Sequence, residues 1–72
     1  MPPVKNSAYR TLEITGSSAK GIEDAINKAL QCVHRDDKEL CWFQVIETRG
    51  NVDNGKVHHW QVTIKVGVAI HN

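Results

Sequence analysis

Apolar residues recur along this chain with two different periods. From Ala8 to Thr15 they alternate, with Leu12 and Ile14 on one face and Thr11, Glu13 and Thr15 on the other, as in a half-buried strand. Gly16 is expected to end that strand. Ser17 and Ser18 then offer side-chain oxygens to cap a helix, with Glu23 and Asp24 near its positive end. Ile22, Ala25, Ile26, Ala29, Leu30 and Val33 follow at spacings of three and four, one helical stripe, while Glu23, Asp24, Asn27, Lys28 and Gln31 face away. The charged run Arg35-Asp36-Asp37-Lys38-Glu39 breaks this period, so the helix should stop near His34 to Asp37. A second strand from Leu40 to about Asn51 and a third from Lys56 to Ile70 flank Asn54-Gly55, a dipeptide that tolerates the positive φ angles of a type I′ turn. The elements predict an α+β fold of order β-α-β-β, a three-stranded antiparallel sheet with one helix across one face. Residues 1–7, with Pro2 and Pro3, are expected to form a flexible tail, and residues 8–72 a single domain.

The third strand assigns the faces. Trp60, Val62, Ile64, Val66 and Val68 must face the helix, leaving His59, Gln61, Thr63, Lys65 and Gly67 outside. If Asn54 and Gly55 are the two loop residues, Phe43 and Val45 fall beside Val66 and Ile64, and Trp42 lies opposite Gly67, turned away from the core. A bulge at Gly50 would shift this pairing by one. An outward indole opposite a glycine that leaves its surroundings open is either a stacking platform for a planar ligand or the filling of a subunit interface. Gln61, on the same face, can donate and accept toward the edge of a uracil-like ring, or can simply be solvated. Residues 61 and 67 are roughly 20 Å apart at 3.3 Å per strand residue, so a site using both Trp42 and Gln61 has to span subunits.

Composition narrows the function. A chain of 72 residues buries only about 60% of its unfolded surface, so neighbours are expected to contribute stability. Cys32 and Cys41 have no CxxC or CxxH spacing and are expected to be reduced thiols in a cytoplasmic protein. A net charge of +1, with both signs dispersed, gives no footprint for nucleic acid. No apolar run approaches a membrane span, and the first residues lack a signal peptide's apolar stretch. Enzyme chemistry needs a positioned acid, base, nucleophile or metal. No phosphate loop, nucleophile elbow or metal spacing is present, and His58 and His59, adjacent on a strand, are expected to point to opposite faces.

Six segments in order, Gly16-Ser17-Ser18, Ile22-Glu23-Asp24-Ala25-Ile26, Trp42-Phe43-Gln44-Val45, Glu47-Thr48-Arg49-Gly50, Asn54-Gly55-Lys56-Val57 and Gln61-Val62-Thr63-Ile64-Lys65-Val66-Gly67, resemble the dodecins over about Tyr9 to Gly67. The resemblance implies a hollow homododecamer that holds riboflavin, FMN or a related flavin non-covalently, in pairs, at subunit contacts. Trp42 matches the family's ring-stacking tryptophan and Gln61 the glutamine that bonds the pyrimidine edge. Arg49 matches a basic residue of the strand-end motif, a partner for phosphate or ribityl groups or for a surface salt bridge, and Lys38 is a candidate of the same kind.

The chain departs from the family pattern at several places. Cys41 replaces the acidic residue before the tryptophan, Gln44 a glutamate, and Val68-Ala69-Ile70 the usual Phe-Arg-Leu. Without that arginine, binding of coenzyme A or of an FMN phosphate loses its support. Trp60 stands where tyrosine is common and Asp37 where an apolar residue is usual. The expected function is non-catalytic flavin storage with photoprotective quenching by the indole. The alternative is a structural or ion-binding shell without flavin.

Overall fold

The computed structural model describes residues 8–36 and 39–70. The expected tail, Asp37 and Lys38 fall outside them. The elements are β1 (Tyr9–Ser18), α1 (Ile22–Asp36), β2 (Leu40–Asp53) and β3 (Lys56–Ala69), and the sheet is antiparallel throughout, in the order β1-β3-β2. The α+β architecture is thus the one the two periodicities predict, with β3 at the centre.

Gly16 does not end β1. It pairs with Val62 and the strand runs two residues further. Its missing side chain serves the helix instead, because a Cβ there would collide with the Ala25 carbonyl oxygen and crowd the Ala29 Cβ. Small residues on both elements let α1 lie close on the sheet, and Ala25, Ala29 and Val33 are buried. Ile26 and Leu30 pack at the margin of this core, whereas Ile22, the first residue of the predicted stripe, is exposed.

The joint between β1 and α1 also differs from the simple serine cap. Gly21 holds the cap position, its carbonyl accepting the Ala25 N–H at 3.1 Å. The Ser18 hydroxyl, buried, donates to Asp24 Oδ2 at 2.6 Å and accepts the Lys20 N–H at 2.8 Å. Asp24 is therefore tied to the strand end rather than turned to solvent, and this hydrogen bond holds its carboxyl below the ordinary range, with Lys28 and Lys20 assisting and desolvation opposing.

The β2–β3 hairpin closes at Asn54 and Gly55, with φ of 54° and 74°, as a type I′ turn requires. Next to the turn, Asp53 pairs with Lys56 and Val52 with Val57; then His58 is skipped and Asn51 pairs with His59. The one-residue offset persists through Arg49–Gln61 and Glu47–Thr63 until Ile46 is skipped on the other strand, which restores Val45–Ile64 and Trp42–Gly67. These two bulges, one on each strand, cancel each other, so Trp42 to Val45 stand where turn-based counting puts them and the middle is displaced; a further irregularity at Cys41 then sets Leu40 opposite Val68.

The core is the inner side of β3, where Val62, Ile64, Val66 and Val68 are buried beneath α1. α1 packs on β1 and β3. The inner side of β2 has no such cover, and Phe43 and Val45 are 46% and 42% exposed.

Candidate functional site

The outer face of the sheet is polar except for the aromatic rings of Trp42 and Tyr9. Reading across β1, β3 and β2, its rows are Thr11–Gly67–Trp42, Glu13–Lys65–Gln44, Thr15–Thr63–Glu47 and Ser17–Gln61–Arg49. Thr15 and Thr63 join their hydroxyls at 2.7 Å, stitching the middle of this face.

Trp42 lies against the Gly67 backbone. A Cβ on Gly67 would overlap the indole at Cε2, Cζ2 and Nε1. Gly67 is accordingly buried beneath the ring rather than leaving open space beside it, and the indole is half-buried. Tyr9 meets it edge to face, with centroids 5.8 Å apart and planes at 70°. Desolvation, assisted by electrostatic repulsion from Cys41, pushes the Tyr9 hydroxyl above its ordinary pKa and keeps the phenol neutral. Tyr9 escaped the sequence reading, although the alternation of β1 carried one step back from Thr11 places it on this face.

Gln61 stands at the other end of the same face, half-buried between Ser17 and Arg49. It stands six β3 positions from Gly67, roughly 20 Å of strand. Arg49 reaches this face only because Ile46 is bulged; unbroken alternation from Trp42 would have set it opposite Trp60, on the helix side. Its guanidinium donates to Glu47 Oε1 at 2.5 Å, an exposed ion pair. The structure therefore brings Arg49 and Gln61 together and holds Trp42 apart. Lys38 lies outside the described residues.

On the helix side, Leu30, Leu40, Trp42 and Phe43 contribute to an open groove of about 370 Å³, also lined by Asn27, Gln31, His34 and Cys41. Neither Gln61 nor Arg49 borders it. Cys32 and Cys41 are free and exposed.

His58 and His59 do not point to opposite faces as simple alternation predicts. The β3 bulge falls at His58 and turns both rings to one side, with Nδ1 atoms 2.8 Å apart and ring centroids 4.5 Å apart. No cluster of three or more potential metal-ligating side chains occurs among the described residues, and no helix among them is long and apolar enough to cross a membrane.

Residues 8–71 match the Dodecin family model. A dodecin from Thermus thermophilus is 37% identical over 59 residues, covering 82% of this chain and 86% of that protein. Among solved structures, the dodecin from Streptomyces davaonensis superposes with a TM-score of 0.84 at 37% identity, covering 94% of this chain and all of the other. The dodecin from Streptomyces coelicolor gives 0.85 at 33% identity, covering 96% and 99%. With a family match over residues 8–71 and a shared β-α-β-β fold, the chain belongs to the dodecins, a family of small flavin-binding, non-catalytic proteins whose members suggest a homo-oligomer.

Proposed function

We propose that this protein binds riboflavin, FMN or a related flavin non-covalently in a cytoplasmic homododecamer, stores it and quenches its excited state, without catalysing a reaction. The observation that carries this reading is the indole of Trp42, laid on the Gly67 backbone and braced by Tyr9 on an otherwise polar sheet face. A flat aromatic surface with one face supported and the rest accessible fits a planar heteroaromatic ring, and the ring's polar edge calls for a group such as the Gln61 amide. Because Trp42 and Gln61 stand at opposite ends of the face, each bound ring takes its indole from one copy of the chain and its amide from another. Arg49, beside Gln61, is placed for a ribityl or phosphate group once its pair with Glu47 opens. Lys38 is a further basic candidate.

Bound flavin supplies a light-absorbing ring that accepts an electron when excited, and the electron-rich indole is the protein's donor to it. The chain's own contribution is to bind, orient and shield. Titrating riboflavin and FMN into purified protein, with particle mass measured in parallel, tests the reading. Expected are near-complete quenching, saturation near one flavin per chain and a particle of about twelve chains. Trp42→Ala should bind at least about tenfold more weakly and restore much of the emission. Unchanged affinity and quenching in that variant would refute the role of Trp42, while an intact particle that takes up no flavin would leave a structural or ion-binding shell.

A further inference from the structure

We propose that His58 and His59 form a two-imidazole binding site for a divalent transition metal of tetragonal preference, copper(II) or nickel(II). The site depends on the β3 bulge. Adjacent residues of a regular strand project to opposite faces and cannot chelate together, but the register passes from Val52–Val57 to Asn51–His59 and leaves His58 unpaired, so both rings emerge on one side. Their Nδ1 atoms stand 2.8 Å apart. With metal–nitrogen bonds of about 2.0 Å, that separation subtends close to 90° at the metal, the angle between neighbouring positions of a square-planar or tetragonal centre; a tetrahedral centre would need roughly 3.3 Å.

Without metal, one Nδ1–H donates to the other Nδ1. Metal takes the place of that proton: the donor ring moves its hydrogen to Nε2, both Nδ1 lone pairs turn to the ion, and no net proton leaves a neutral pair. His58 is exposed and His59 half-buried near the hairpin tip, so remaining coordination positions open to water. The pair lies on a stretch of β3 that β1 does not reach. It takes no part in the Trp42 platform.

Copper(II) titration of the full-length protein, followed by electron paramagnetic resonance, tests the site. Wild type should bind one copper per chain with hyperfine coupling to two nitrogens. His58→Ala should retain a single nitrogen and bind about 10–100-fold more weakly. A variant with both His34→Ala and His71→Ala, which removes the other two histidines, should match wild type. Particle mass and circular dichroism confirm that each variant is folded. A two-nitrogen signal that survives in His58→Ala, an equal loss in the His34/His71 variant, or no copper uptake by wild type would each overturn the proposal. Flavin titration of the same samples is independent: Trp42→Ala should take copper normally.

Discussion

A glycine can be required for the side chain it lacks or for the backbone angle it permits, and this chain separates the two. At Gly67 the reason is an indole. Its φ lies outside the left-handed region, so alanine is conformationally acceptable there, yet its methyl group would occupy the place of Trp42. Gly67→Ala is therefore expected to leave the strand pairing intact and displace the ring, weakening FMN binding about tenfold and reducing quenching, as a fluorescence titration would read directly. At Gly55 the reason is the turn. No atom lies near a prospective Cβ, but φ is +74°, and Gly55→Ala should cost about 1 kcal/mol of stability with flavin binding unchanged. Gly16→Ala should cost more, on the order of 1–3 kcal/mol in denaturant unfolding, because the added methyl meets helix backbone that cannot swing aside.

The strand–helix joint at Ser18 and Asp24 contributes a pH dependence of known sign. Asp24 has a folded-state pKa below its unfolded value, so its contribution is present above the ordinary carboxylate range and disappears as pH falls through the lowered value. Ser18→Ala removes the largest cause of that shift. Its melting temperature should lie several degrees below wild type at neutral pH, and the gap should narrow below about pH 4, where protonation dissolves the same interaction in the parent. A gap independent of pH would assign the loss to packing alone. Turn chemistry made the hairpin legible in advance: Asn54-Gly55 fixes the pairing nearest the loop, and Trp42 and Phe43 fall where counting from it places them. The displaced middle was not legible. Neither Ile46 nor His58 is a residue type that marks a bulge, and each fits ordinary strand alternation. The position of Arg49, the histidine pair and the continuation of β1 past Gly16 all required the folded structure, because close contacts between distant segments decide them.

Taken as one body, the chain measures 52 × 20 × 16 Å, and its elongation comes from the hairpin reaching past β1. Val52 and Val57, paired near the tip, are 71% and 51% exposed, and Ile22, Phe43, Val45 and Ile46 add further uncovered apolar surface. A lone copy leaves much of its apolar inventory in water, and in the proposed homo-oligomer burial of that surface against neighbours would add stability. Thermal stability should accordingly rise with protein concentration. Val57→Lys should lower the particle mass in light scattering or native mass spectrometry, and an unchanged particle would show that the hairpin tip lies outside the subunit contacts. Chain length alone raises the expectation of stabilising neighbours, but the sequence could not point to the exposed apolar surface, because an exposed valine and a buried valine read alike.

The paired bulges also constrain how this hairpin can change over evolutionary time. Deleting Ile46 or His58 itself would remove an extra residue and leave the flanking pairs as they are, whereas deleting a paired residue between them would slip one strand against the other and exchange the inside and outside of the residues beyond it. Deleting Ile46 would keep Arg49 on the outer face, and deleting His58 would dissolve the histidine pair without moving the pairs on either side of it. Single-residue changes of length should therefore survive alone at these unpaired positions and elsewhere in the hairpin only in compensating pairs on opposite strands, so that the bulges mark where the length of one strand is heritable without the length of the other.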